Sequence, residues 1–420
     1  MMLTKLSQAE ALLQQHSAGE TKDVAMLSPL FHNEEHVRSL TTCFALAVVV
    51  QQCQIQQEKD TTPPKEFVLV HEKDTRGWWL PGGGVDTGQT ISEAAIREAM
   101  EEAGVDIDIT GVLRIEMSQG RLRVIYRAQP KATAGFHVPL KGQKGGTPGP
   151  DKESKGATWA TSDEVKQITR AHPDAVVKFG TEDLHLRGNE PLHWFQYLQN
   201  DGYVAPVDFF KSSRCGVECG VGSKSVQVAE RCVCDMKVWV RLVVVDSVQA
   251  PTQVLFVLDK ISNTWRCPGT RVTSGRLTDT TTRLSGDVTM QCLNGTAGEC
   301  RVAGILSVEH FIRKQEQRQE SLIRAIFIAE VGEVAKVATE EAEFRWVSMV
   351  NVRDLAEQET TMDPGFPCFD LAGAVERLES GLIQPMHMVT RKEYSRPFGV
   401  AEESSSEDDD DDEEEELESL

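Results

Sequence analysis

No apolar run in this 420-residue chain is long enough to cross a bilayer. The longest, such as Cys43–Val50, fall far short of the roughly 20 residues a spanning helix requires. The first residues mix Lys5, Glu10, Glu20 and Asp23 with Gln and Ser. They therefore lack both the apolar core of a secretory signal and the Arg-rich, acid-poor character of a transit peptide. Cysteine is sparse, ten in 420 residues, which excludes a disulfide scaffold. Reduced thiols and a cytoplasmic or nuclear location are the expectations. A surplus of positive charge is also missing. The net charge is −21, but residues 402–420 hold 13 acids and no base, leaving 52 acids against 44 bases, a net of −8, for the rest. A net-acidic body is a poor general binder of phosphate backbones, so nucleic acid is not the expected partner. Disorder throughout is excluded by 40% apolar residues with seven Trp and fifteen Phe.

An internal repeat organises what is present. Phe44–Val50, Phe67–Val70 and Trp78-Trp79-Leu80-Pro81-Gly82 recur in order as Val240–Val245, Val254–Leu258 and Trp265-Arg266-Cys267-Pro268-Gly269. Gly111–Glu116 and Gly304–Glu309 follow. After them come the strand-like runs Leu122–Arg127 and Ile323–Glu330, and then Trp159 and Trp346. β-branched runs punctuated by Gly, Pro and Asp, with a helical stretch between them, predict a mixed α/β domain present twice. The expected boundaries are an N-terminal extension at 1–38, with one helix face marked by Leu3, Leu6, Ala9 and Leu13, and domains at 39–205 and 236–400. A Cys-containing linker at 206–235 joins them, and a disordered acidic tail occupies 401–420.

Residues 80–105 carry the chemistry. Pro81 and Gly82–Gly84 make a close-approach loop after a strand. Thr90 followed by Glu93 spells a capping box, and Gly104 stands where a helix C-cap glycine belongs. At helical spacing Ile96, Ala99, Met100 and Ala103 fall on one side, while Glu98, Glu101 and Glu102 fall on the other. Three carboxylates on one face repel one another, and a hard divalent cation with oxygen ligands, Mg²⁺ or Mn²⁺, would relieve that repulsion. Read alone, Glu-x-x-Glu-Glu favours a solvated acidic face, the usual meaning of a charge run. Its place after a Gly-rich loop at a strand end favours the metal.

This stretch resembles the signature of the Nudix hydrolases. Gly83, Arg97, Glu98, Glu101, Glu102, Gly104 and Val105 match it, Ala99 is a soft match, and Gln89 departs from the usual Glu. The resemblance implies an α/β/α sandwich with a mixed sheet, and attack of water on a diphosphate linked to another group. It implies metal binding by Glu98, Glu101 and Glu102, with the Gly83 carbonyl as a further ligand and Arg97 orienting the acidic face. Glu101 or Glu102 within the signature, or Glu153 outside it, would take the water's proton. Gln89 can hydrogen-bond to Arg97 but not pair with it as an ion, which implies a looser helix entry and reduced activity. In the second copy Thr270 stands at the Gly83 position and residues 273–300 hold only Asp279, Asp287 and Glu299 as acids. That half is read as degenerate, without a metal site.

Weaker signals complete the reading. Cys215, Cys219, Cys232 and Cys234 could hold Zn²⁺, although their spacing departs from the common pattern and free thiols are the more economical account. Trp79, whose counterpart is Arg266, could stack on a nucleobase or simply pack. Lys141 and Lys144, in the Gly/Pro/Lys-rich loop 130–156, could close over phosphates. The stretch from Asp151 to Trp159 is similar in spacing to Nudix enzymes that clear oxidised guanine nucleotides. The primary expectation is a pyrophosphohydrolase of nucleoside di- or triphosphates. Its competitors are a nucleotide-binding scaffold whose acidic tail recruits a protein partner, and an mRNA cap or inositol pyrophosphate hydrolase.

Overall fold

In the computed structural model the described residues are 40–52, 64–73, 76–86, 88–118, 121–131, 154–169, 185–214, 233–259, 264–272, 277–292, 299–315, 318–331, 344–352 and 369–389. The N-terminal extension, the acidic tail, Glu153, Lys141, Lys144, Cys215, Cys219 and Cys232 lie outside them. Cys234 is described in its backbone alone.

Strand β1 (Leu40–Gln52) is the pivot of the first half. Its run Ala45–Val50 is buried on both faces, which is why it reads as continuous apolar sequence and not as an alternation. β6 (Arg121–Pro130) lies parallel to it on one side, with Ala45 opposite Val124. β4 (Gly82–Gly84) lies antiparallel on the other, with Ala45 opposite Gly83. β2 (Lys65–Glu72) pairs with the end of β1, with β3 (Trp78–Trp79) and with β7 (Ser154–Thr161). β5 (Ile107–Ser118) forms a bulged hairpin with β6. Helix α1 (Ile91–Ala103) covers one face, and α2 (Ser162–Thr169) and α3 (Glu190–Gln199) cover the other. The expected mixed α/β architecture is present.

Within 206–235, the described residues include a 3-10 turn (Val207–Phe209), strand β8 (Phe210–Arg214) and the start of β9 (Val233–Val245). β9 then pairs as β1 does. Val240 faces Ala325 of the parallel β14 (Arg318–Val331) and Thr270 of the antiparallel β12 (Gly269–Arg271). β10 (Gln253–Asp259) joins β11 (Thr264–Arg266) and β15 (Phe344–Ser348), placing Leu255 opposite Trp346 as Val68 stands opposite Trp159. Helices α4 (Leu277–Cys292) and α5 (Leu371–Glu379), with β13 (Cys300–Gln315), complete this half.

The two halves are tied in three ways. β1 pairs antiparallel with β9 at Leu40–Thr42, and β8 adds to β13 in parallel, with Val308 opposite Phe210. One apolar cluster contains Ala45, Ile91 and Tyr126 together with Val240, Leu284 and Phe327, so both halves share an interior.

Gly111 and Gly304 mark matching close approaches. A Cβ on Gly111 would lie 2.3 Å from Val204 Cγ1 and 2.7 Å from the Ala205 carbonyl. One on Gly304 would meet Ile383 at 2.5 Å and the Gln384 carbonyl at 2.8 Å. Each clash involves backbone that is itself hydrogen-bonded, Val112 with Ala205 and Ile305 with Gln384. Gly111→Ala is therefore expected to lower the unfolding free energy by about 1–3 kcal/mol, measured by urea denaturation.

Candidate active site

The signature stretch at residues 80–105 (the box) contains helix α1, the box helix, which starts and stops as its sequence predicts. Thr90 is the N-cap, its hydroxyl accepts the Glu93 N–H at 3.2 Å, and its own N–H donates to Glu93 Oε2 at 2.8 Å. Gly104 closes the helix in the left-handed conformation (φ 66°), which spares a Cβ clash.

Small side chains decide which side of the helix faces inward. The buried stripe comprises Ile91, Ala94, Ala95, Glu98, Ala99, Glu102 and Ala103, while Met100 is 43% exposed. Small alanines let the helix sit close on β1, and that closeness carries Glu98 and Glu102 under the glycine loop. Both carboxylates are over nine-tenths buried, at 7% and 8% exposure. Burying ionisable groups at this density is costly without compensating partners.

The glycines of β4 make room for these carboxylates. Gly82 has φ 155°, and a Cβ there would lie 2.4 Å from the Ala45 carbonyl. At Gly83 a Cβ would lie 2.4 Å from Glu98 Oε1. The Gly82 N–H donates to Glu102 Oε2 at 2.8 Å. The loop is thus threaded between strand and helix, with one glutamate against each of two successive glycines.

The three glutamates are engaged by different groups. Arg97 draws two of them to itself, at 2.9 Å from Glu98 Oε1 and 2.8 Å from Glu101 Oε2. It also donates to the Gly84 carbonyl at 2.8 Å. Among the described residues no group of three or more His, Cys, Asp or Glu side chains stands ready around one point. Burial pulls the Arg97 pKa down, but Glu98 first, then Glu101 and Asp86, outweigh it and raise the pKa above its ordinary value.

Gln89 is hydrogen-bonded as its chemistry allows. Its Oε1 accepts from Arg97 Nε at 3.4 Å and from the Asp86 N–H at 3.3 Å. The missing charge comes from Asp86, whose Oδ2 lies 3.4 Å from Arg97 Nε. Sequence reasoning missed Asp86. The available signal was an acid three residues before the departing position.

Other expected residues are placed as follows. Trp79 is partly buried, with the Arg187 guanidinium 5.5 Å from its ring centroid and Arg187 paired to Glu72 at 2.8 Å. Trp78 is buried and stacks on His71. Ser154, the residue after Glu153, donates its hydroxyl to the Glu102 carbonyl at 3.0 Å. Cys43, Cys267, Cys292 and Cys300 are buried.

On the opposite face of β1 lies a charged group that sequence reasoning did not find. Arg123 pairs with Glu190 at 2.8 Å and with Glu116, and Arg121 sits 4.4 Å over Phe44, whose backbone neighbour is Gly84. Burial, then the nearby Arg123, lowers the Arg121 pKa. The alternation Arg121-x-Arg123 on a strand was its signal.

In the second half, the helix α4 repeats the burial pattern of α1. Leu277, Thr280, Thr281, Leu284, Ser285 and Val288 are buried, matching Ile91, Ala94, Ala95, Glu98, Ala99 and Glu102. On this phasing Arg283 and Asp287 stand where Arg97 and Glu101 do, and the two buried glutamates are replaced by Leu284 and Val288. Both are fully buried. The position that holds carboxylates in one half is filled with hydrocarbon in the other.

Residues 53–178 match the family described as the NUDIX domain. The human 8-oxo-dGDP phosphatase NUDT18 is 34% identical over 111 residues, 26% of this chain and 32% of that protein. A MutT-like protein of Streptomyces ambofaciens is 27% identical over 104 residues, 24% of this chain and 58% of its own. An RNA pyrophosphohydrolase of Erythrobacter litoralis is 43% identical over 44 residues, 10% of this chain and 27% of its own. The chain thus spans less than two thirds of each of these relatives.

Proposed function

We propose that this chain, a Nudix hydrolase by its domain at residues 53–178, is a divalent-metal-dependent pyrophosphohydrolase acting on nucleoside di- or triphosphates. The observation that carries the reading is the pair Glu98 and Glu102, one helical turn apart, buried, and set against Gly83 and Gly82. Carboxylate and carbonyl oxygens suit a hard cation such as Mg²⁺ or Mn²⁺. Glu98 and Glu102, with the Gly83 carbonyl, would hold it, and Glu101 would join on release from Arg97. When bound, the metal neutralises phosphate oxygens and lowers the pKa of a bound water.

The chain's own groups do the rest. Arg97 orients Glu98 and keeps the Gly84 carbonyl in place. Glu101, a third exposed, can accept the proton of an attacking water, and Glu153 is the second candidate for that role. Trp79 offers an aromatic face to a base, and Lys141 and Lys144 offer charge to phosphates. Oxidised guanine nucleotides are the first substrates to test, because a relative named for 8-oxo-dGDP shares this region.

The reading extends to the domain plan, with a hydrolase domain at 39–205 and a second, metal-free Nudix-like domain at 236–400. Leu284 and Val288 in place of two glutamates support the latter. They also favour, for that half, a role other than hydrolysis. For the whole chain the competing reading is a nucleotide-binding scaffold, favoured by the engagement of two box glutamates by Arg97.

A Mg²⁺-dependent phosphate-release screen separates these readings. It would cover ordinary and 8-oxo nucleotides, dinucleotides, cap analogues and inositol pyrophosphates. Turnover by the wild type and not by Glu102→Gln is expected. No turnover on any substrate would leave the scaffold.

A further inference from the structure

Arg214, the last residue of β8, spans the two halves at the box. β8 belongs to the sheet of the second half, paired along β13 from Val308–Phe210 to Ile312–Arg214. Its start is anchored there as well. Arg377 of α5 donates to the Asp208 carbonyl at 2.9 Å and pairs with the Asp208 carboxylate. Phe209 and Phe210 are buried, and Ser212 hydrogen-bonds to His310 Nδ1 at 3.0 Å. From this fixed strand, Arg214 reaches into the first half. Its Nε donates to the Gly88 carbonyl at 2.9 Å, and its terminal nitrogen pairs with Glu93 Oε2. The same Glu93 oxygen accepts the Thr90 N–H that closes the capping box.

These contacts fall on the part of the box that departs from the family pattern. Gly88 has φ 81° and open space around it, so its own conformation does little to restrain the loop. Gln89 follows, holding Arg97 through a long 3.4 Å hydrogen bond, while the ionic partner, Asp86, comes from the same loop at 3.4 Å. Arg97 in turn orients Glu98. A planar guanidinium that engages two acceptors fixes both distance and direction, which a lysine cannot do.

We infer that Arg214 is a positioning residue through which the second half clamps the Gly88–Glu93 entry of the box helix, supplying the restraint that Gln89 does not. The role gives the metal-free half a function in the first half's site. It rests on the hydrolase reading only where metal affinity is the readout. Arg214 and Glu93 are each 44% exposed, so their pair adds little to global stability. Its effect is local.

The test uses the full chain and two readouts. The first is hydrogen exchange of the peptide spanning residues 82–93, without metal. Arg214→Ala is expected to raise exchange several-fold there while leaving β13 and β14 unchanged, with Arg214→Lys intermediate. The second is Mn²⁺ affinity by electron paramagnetic resonance. Loss of a partner directly behind a ligand costs about 10–100-fold in affinity, and a residue two contacts removed is expected to cost about three- to tenfold. Adding Gln89→Glu to Arg214→Ala should restore most of that loss, an outcome that a general loss of structure would not produce. Unchanged exchange at 82–93 in Arg214→Ala overturns the clamp. If Mn²⁺ binding is instead indifferent to Glu98→Gln with Glu102→Gln, the hydrolase reading fails while the exchange result still decides the clamp.

Discussion

Glu102→Gln is expected to lower kcat/KM by about 10³-fold while the protein stays folded. The substitution is nearly isosteric, and the amide oxygen can still accept the Gly82 N–H that Glu102 Oε2 holds at 2.8 Å. What disappears is a buried negative charge one turn from Glu98. If that charge is a metal ligand, its removal forfeits several kcal/mol of transition-state stabilisation, and each 1.36 kcal/mol is about tenfold in rate. Stability provides an independent check. A metal bound at about 100 times its dissociation constant stabilises the native state by about 2.7 kcal/mol. Mn²⁺ should therefore raise the thermal midpoint of the wild type and leave Glu102→Gln almost unmoved. In metal-free buffer the two should melt alike, or the variant slightly higher, because a buried charge has gone. Activity within threefold of wild type, or an equal response to Mn²⁺, would rule out Glu102 as a ligand.

Gly83→Ala should separate activity from stability in a different manner. The new methyl would stand 2.4 Å from Glu98 Oε1 and 2.7 Å from its carboxyl carbon. Those atoms end a flexible side chain, so the carboxylate can swing aside while the backbone stays. The stability cost should sit at the low end for overpacking, about 1 kcal/mol. The functional cost should be large, since Glu98 would leave Arg97 and the glycine loop. A misplacement of about 1 Å in such a constellation costs on the order of 10²-fold in rate. Gly82→Ala is the control. There the clash is with the Ala45 carbonyl at 2.4 Å and the Leu46 backbone, and φ 155° disfavours any Cβ, so the fold itself should suffer. Equal melting losses in the two variants would contradict this account of the loop.

The parts legible in sequence are those set by short-range physics. Thr90 and Glu93 cap the helix reciprocally, and Gly104 ends it, because capping joins groups three or four residues apart. The match of Trp78-Trp79 to Trp265-Arg266 was likewise visible, and both pairs occupy equivalent places, Trp78 opposite His71 and Trp265 opposite Leu258. Sorting the helix into an apolar and an acidic side does not by itself fix which residues are buried. Met100 is outside and Glu98 and Glu102 are inside, since the alanines, and not the largest apolar side chain, govern the approach to β1. Periodicity alone cannot say which face a buried site occupies.

The net charge of −21 proved a poor guide, because it is dominated by a tail outside the described residues. By itself the sequence determined the box, its caps, the candidate ligands and the doubled order of strands, all written in local spacing. Only the tertiary structure decided that Asp86 supplies the charge Gln89 lacks, and that Arg214 reaches back 126 residues to Gly88. It also placed Leu284 and Val288 where the other half keeps its buried glutamates. The reason is physical. Ion pairs across a shared interior depend on where distant strands converge, and no local spacing encodes that distance.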